Sequence, residues 1–217
     1  SVLAAALPWP DKLGMDEHSV VHMASTFGHL TGYLFGVSLP IMLGGTGVFQ
    51  DVWNPDEFAR LTELHGIQHT SAATPFLHDV LQCDGIKHHD MSSLERFACM
   101  GAPIPRHYGV EAKEKLPNMV VFGGWGQTEC GLSSFGHPND PEEKIFSTDG
   151  RPLDGMDIRI VDFEGREVPP GTEGRIQIKG PFLFHGYLDE LAMSRRQFDG
   201  TYFDTGDLGS IDEDGYL

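Results

Sequence analysis

The chain has 217 residues, with 15 Lys and Arg against 32 Asp and Glu for a formal charge of −17, so a phosphate backbone is repelled and nucleic acid is excluded as a partner. That length suffices for one large or two small domains with a substantial core. The 27 Gly and 14 Pro punctuate apolar runs instead of forming a repeat, which excludes low-complexity disorder.

In chain order, the apolar stretch from Gly28 to Val48 is broken by Thr31, Ser38, Pro40 and a glycine cluster, which argues against a membrane span. That cluster, Gly44-Gly45-Thr46-Gly47, has no P-loop Lys and completes no dinucleotide fingerprint, so it reads as a turn. Asn54-Pro55-Asp56-Glu57 combines an N-cap, a first-turn Pro and an acid three residues on, which predicts a helix continued by Phe58, Leu61 and Leu64 and ended by Gly66. Residues 67–73 form a candidate strand, Thr74-Pro75 starts a second helix through Leu81, and Phe97-Ala98-Cys99-Met100 reads as the next strand. Residues 105–116 supply another helix and Met119 to Phe122 another apolar strand. This alternation predicts an α/β fold, a mostly parallel, helix-covered sheet over the first ~145 residues.

After Gly150 the period changes to two. Ile158 and Ile160, then Ile176 and Ile178, alternate with polar residues around a Glu164-Gly165 turn, which predicts a smaller antiparallel β subdomain with one helix inserted at 192–198. The expected units are therefore 1–148 and 149–217. Asp212-Glu213-Asp214-Gly215 lacks the other ligands of a calcium loop and reads as a hairpin turn leading toward a strand at Tyr216-Leu217, as in a piece of a longer polypeptide. Neighbouring side chains diverge in His88-His89-Asp90, so a metal site is not expected there. Cys83, Cys99 and Cys130 are odd in number and lack metal spacing, which fits a reducing, cytoplasmic setting; no targeting segment is visible.

The chemistry concentrates in Trp125-Gly126-Gln127-Thr128-Glu129. An indole can stack on a purine, a Thr hydroxyl can donate to a phosphate, and a carboxylate can hold Mg²⁺ beside it. Thr205-Gly206-Asp207 presents one carboxylate on a turn, suited to the paired hydroxyls of a ribose. Gly101-Ala102-Pro103 follows a strand and lets backbone approach a flat ring. His29, in Phe27-Gly28-His29-Leu30-Thr31, reads on its own as a structural histidine in apolar surroundings.

The order of these segments, with Gly150-Arg151-Pro152 and Gly186-Tyr187 between them, resembles the AMP-forming acyl-CoA synthetases of the adenylate-forming superfamily along essentially the whole chain. It looks closest to the medium-chain or cyclohexanecarboxylate-CoA ligase branch. The chain departs from the family's motif in having Trp125 where Tyr is commoner. The resemblance implies that Trp125, with Gly126 beside it, faces adenine, Gly101 and Ala102 line the adenine site, and Thr128 touches the α-phosphate. It implies further that Glu129 binds Mg²⁺, Asp207 holds the ribose, and His29 borders an acyl pocket and shifts with the reaction step, with Gly124 and Cys130 on the pocket wall. Thr128, Glu129 and His29 become the catalytic set. ATP or AMP, Mg²⁺, coenzyme A and a small carboxylic acid are the implied ligands, with a homodimer open as an assembly.

The family's Lys-Gly phosphate loop has no counterpart in Ser1 to Leu13. Also missing are the Arg beyond Asp207, the hinge and the Lys-bearing C-terminal domain, so this piece alone is expected to be inactive. Two alternatives remain: an amino-acid-activating module, against which Leu30-Thr31-Gly32-Tyr33 offers no Asp for a substrate amine, and a non-catalytic nucleotide-binding or interaction domain.

Overall fold

The computed structural model describes residues 6–102 and 104–217. Two sheets organise the chain. The first is seven-stranded, in the order β2-β1-β3-β4-β5-β6-β7: β1 is Val20–Met23, β2 Thr46–Phe49, β3 His69–Ala72, β4 Arg96–Met100, β5 Val120–Gln127, β6 Gly131–Phe135 and β7 Arg151–Pro152. The strands up to β5 pair in parallel, whereas β6 and β7 run antiparallel. The second sheet is antiparallel, ordered β10-β11-β9-β8, with β8 Asp157–Val161, β9 Gly174–Lys179, β10 Phe198–Asp199 and β11 Tyr202–Gly209. This is the expected α/β architecture of a mostly parallel sheet followed by a separate antiparallel one.

The helices are α1 (Trp9–Leu13), α2 (Leu39–Leu43), α3 (Pro55–His65), α4 (Thr74–Gln82), α5 (Gly85–His88), α6 (Arg106–Lys115), α7 (Glu142–Ile145) and α8 (Leu191–Arg196). Helix α3 begins as its sequence dictates. The Asn54 side chain accepts from the Glu57 N–H at 2.9 Å, and Gly66 closes the helix at φ 65°. Phe58, Leu77, Val80, Leu81, Phe97 and Val121 then pack α3 and α4 onto one face of the sheet. Trp9, Phe35, Phe122 and Phe135 anchor the other face, with Trp9 edge-on to Phe135 at 4.4 Å.

Strand β3 is wholly buried yet reads His-Thr-Ser-Ala. Its polar groups are largely met internally: His22 Nδ1 pairs with Thr70 Oγ1 at 2.9 Å, His22 Nε2 with Gln50 Oε1 at 3.0 Å, and His69 Nε2 with Ser71 Oγ at 2.8 Å. Burial pushes the His22 pKa down to about 4 and that of His69 to about 3, so both rings are neutral at pH 7.

Sequence periodicity did not show the antiparallel end of the first sheet. Strand β6 buries Ser133 and Ser134, whose hydroxyls donate to the Cys130 and Asp149 carbonyls, so no apolar alternation marks it. Strand β5 also continues past Phe122 to Gln127, because Gly126 lies where a Cβ would stand 2.1 Å from the Gly131 carbonyl oxygen. Strand β1 lies before the stretch read only as an interrupted apolar run, while the π-helical segment Gly32–Ser38 and most of β2 fall within it.

Candidate active site

Two cavities flank the C-terminal end of β5. The larger has a volume of about 890 Å³ and collects residues far apart in sequence: His29, Gly101, Gly124, Gly126, Thr128 and Glu129 from the expected set, joined by Gln127, Tyr187 and Thr205. Its apolar wall includes Leu30, Leu34, Phe35, Phe76, Met100 and Leu132. The smaller cavity, about 250 Å³, lies against Trp125 with Ile104, Thr148, Asp149, Ile176 and Leu208.

Asp207 joins the two. Its Oδ2 accepts from Trp125 Nε1 at 3.0 Å and from Gln127 Nε2 at 2.9 Å. Gln127 Nε2 also lies 3.0 Å from the Thr205 carbonyl. The irregularity in β9–β11 pairing between Asp204 and Leu208 lets this turn lean out of the second sheet toward β5. Gly206 at φ 80° makes that turn without strain. The Asp207 N–H donates to Thr205 Oγ1, and Thr205 Oγ1 donates to the Ile176 carbonyl, which fixes the turn.

Thr128 and Glu129 occupy the β5–β6 turn. Thr128 is exposed, while Glu129 is half-buried and accepts from the Tyr187 hydroxyl at 2.9 Å through Oε1. Burial, and then this bond to an anion, raise the Tyr187 pKa, so the phenol stays a donor. The Glu129 carbonyl is held by the Phe184 N–H at 2.7 Å, and Tyr187 by its own N–H on Ser194 Oγ at 2.8 Å. A Mg²⁺ ion usually takes one or two carboxylates and completes its shell with phosphates and water, and Glu129 fits that role with Oε2 free of protein partners. No group of three or more His, Cys, Asp or Glu suited to a metal occurs among the described residues.

His29 is exposed at the turn that opens the π-helical segment, its Nδ1 accepting from the Thr31 N–H at 3.3 Å. Gly32 allows this close turn, since a Cβ there would lie 2.1 Å from the Thr26 carbonyl oxygen. Four expected residues lie outside the lining of the larger cavity, Asp207 being one and reaching it through Gln127. Cys130 is fully buried in the core behind Gly131 and Leu132, which form the cavity wall in its place, and burial raises its thiol pKa. Ala102 is exposed and lines neither cavity, its carbonyl bonded by Thr74 Oγ1; Pro103 lies outside the described residues. Trp125 borders the smaller cavity and not the larger. Sequence reasoning gave no role to Gln127, Tyr187 or Asp149. Of these only Tyr187, in the Gly186-Tyr187 pair, carried a signal. The His88-His89-Asp90 run lies away from these cavities, His89 being bound to Glu63 at 2.7 Å.

Residues 1–188 match the family described as AMP-binding enzyme. The chain belongs to this family. It is 32% identical over its whole length to the medium-chain fatty-acid–CoA ligase of Escherichia coli (strain K12), and 31% identical over 94% of its length to the pyochelin synthase PchD of Pseudomonas aeruginosa (strain UCBPP-PA14). It spans 38% of the length of each. The crystal structure of the N-terminal domain of FACL13 from Mycobacterium tuberculosis superposes with a TM-score of 0.90 at 25% identity, covering 100% of this chain and 54% of that one. No helix among the described residues is long and apolar enough to cross a membrane.

Proposed function

We propose that this chain forms the adenylate- and acyl-binding part of an ATP-dependent carboxylate–CoA ligase, which joins a carboxylic acid to AMP with release of pyrophosphate and then passes the acyl group to the thiol of coenzyme A. The observation that carries this reading is the convergence of His29, Thr128 and Glu129 on one cleft, with Asp207, 178 residues from His29, tied to it through the bond from the cleft residue Gln127. In this reading the Asp207 carboxylate accepts from the ribose hydroxyls and Trp125 packs on the base. The Thr128 hydroxyl donates to the α-phosphate, where negative charge builds as the carboxylate oxygen attacks. Glu129 would hold Mg²⁺, which when bound neutralises phosphate charge. His29, at the mouth of the larger cavity, borders the acyl group and helps keep water from the mixed anhydride.

The apolar wall favours an unbranched or cyclic apolar acid of medium length. Glu129 is the only acidic residue among the described residues lining the larger cavity, which leaves a substrate ammonium without its own counter-charge and disfavours an amino-acid-activating module. The three cysteines, all free, support a reducing, cytoplasmic setting. The test is octanoate-dependent exchange of labelled pyrophosphate into ATP by the intact protein, followed by CoA thioester formation. Exchange that needs no carboxylate, or adenylation with no thioester on adding CoA, contradicts the proposal.

A further inference from the structure

The Glu129 carboxylate has a single hydrogen-bond partner among the described residues, and it comes from the chain that follows the second sheet's β9. Tyr187, in the loop between β9 and α8, donates its hydroxyl to Glu129 Oε1 at 2.9 Å. The same loop grips the backbone of the same residue, since the Phe184 N–H donates to the Glu129 carbonyl at 2.7 Å. Two bonds from positions three residues apart therefore hold Glu129 by its main chain and by its side chain.

The loop is itself tied down. Phe184 packs edge-on to Phe203 at 5.3 Å and to the Tyr187 ring at 4.9 Å, which anchors it in the core of the second sheet. The Tyr187 N–H donates to Ser194 Oγ at 2.8 Å, its carbonyl accepts from the Glu190 N–H at 3.2 Å, and Ser194 Oγ donates to the Glu190 carbonyl at 2.9 Å. Gly186, at φ 138°, permits this close approach, because a Cβ there would lie 2.9 Å from Ser194 Oγ. Asp189, at φ 59°, is the only non-glycine with positive φ among the described residues and completes the turn. All three polar groups of Tyr187 are engaged, and the one on its side chain ends on a carboxylate lining the larger cavity. With Oε1 taken, Oε2 is the oxygen left to a cation. A phenol is neutral, so it orients the anion without cancelling its charge as a Lys or Arg in that place would.

We infer that Tyr187 is a positioning residue for adenylation, holding Glu129 so that Oε2 is presented to the nucleotide's Mg²⁺, and that the segment from Phe184 to Ser194 carries this hold from the second sheet. The inference rests on the metal role proposed above for Glu129. It gives the second sheet a part in metal binding through a residue that touches neither metal nor substrate.

The test measures ATP affinity by calorimetry, with excess Mg²⁺ and with EDTA in its place, for the intact protein and its Tyr187→Phe, Ser194→Ala and Glu129→Gln variants. Tyr187→Phe deletes one oxygen and keeps the ring on Phe184. It should weaken ATP binding about 10-fold in Mg²⁺, the low end for losing an outer-shell partner because both side chains are half-exposed, and leave binding in EDTA unchanged. Ser194→Ala, which frees the Tyr187 N–H, should act in the same direction and less strongly. Added to Glu129→Gln, Tyr187→Phe should change affinity by less than about twofold, since the charge it positions is already gone. Unchanged or tighter Mg²⁺-dependent binding by Tyr187→Phe overturns the inference. So does an equal loss with and without the metal, which is the mark of a purely structural role. If the wild type holds ATP equally in Mg²⁺ and EDTA, or Glu129→Gln keeps the full Mg²⁺-dependent affinity, the metal role of Glu129 falls and the inference falls with it.

Discussion

Replacing Asp207 by Ala removes the carboxylate that joins the two cavities. Both lone pairs of Oδ2 are engaged by Trp125 Nε1 at 3.0 Å and Gln127 Nε2 at 2.9 Å, while Oδ1 has no protein partner among the described residues. Oδ1 therefore remains for a ribose diol. Hydrogen bonds to a charged group contribute about 1.5–3 kcal/mol each, and the half-exposed site lets water replace part of that, so a total loss of about 2–3 kcal/mol in nucleotide binding is expected. That corresponds to an ATP KM raised about 30- to 150-fold if KM tracks binding. Part of the effect comes from leaving the indole and amide donors without an acceptor. Asp207→Asn separates the two contributions, because its amide oxygen can still serve Trp125 and Gln127 while only the charge facing the ligand is lost; about 1 kcal/mol is expected. The assay is the ATP dependence of carboxylate-driven pyrophosphate exchange, with AMP affinity measured by calorimetry. An ATP KM in Asp207→Ala within twofold of the wild type, with unchanged AMP affinity, would refute the reasoning.

Glu129→Gln should slow adenylation and raise the Mg²⁺ concentration needed for half-maximal rate, while thioester formation from a preformed acyl-adenylate suffers less; equal losses in both half-reactions remove the metal role. His22 and His69 make the fold acid-sensitive. Their folded pKa values are lowered from 6.5 to about 4 and about 3, so their contribution is present above pH 6.5 and lost as pH falls, by about 2 kcal/mol for each by pH 5. Urea unfolding at pH 7 and pH 5 measures this, and a pH-independent midpoint contradicts it. Asp149 acts oppositely, since its folded pKa is raised and its penalty grows as pH rises through that value. Asp149→Asn should stabilise the protein more at pH 7 than at pH 4, and a melting-temperature gain that is the same at both pH values rules out an unpaired charge as its source.

The parts of the fold legible in sequence were those built from local rules. Helix α3 follows from Asn54-Pro55 and Gly66, and β8 and β9 follow from isoleucines at period two, because capping and alternation are written within a few residues. Strand β3 was read within residues 67–73, whereas strand β6 was not. Strand β6 buries Ser133 and Ser134, and only their bonds to the Cys130 and Asp149 carbonyls make such burial tolerable. The site divides in the same way. Thr128, Glu129 and Asp207 are singled out by motif order, whereas Gln127 enters through its bond to Asp207, 80 residues away, which no local pattern encodes. Cys130 shows the limit of adjacency: it directly follows Glu129, yet the tight turn before β6 sends its thiol into the core.

The account stands or falls on whether one molecule can occupy both cavities. Its most direct test is a crystal structure of the intact protein with a non-hydrolysable acyl-adenylate, 5′-O-(N-octanoylsulfamoyl)adenosine. The account predicts the alkyl chain in the larger cavity between His29 and Leu132, the ribose on Asp207, and the base against Trp125. A bound analogue whose base lies away from Trp125, or whose alkyl chain leaves the larger cavity empty, would contradict it.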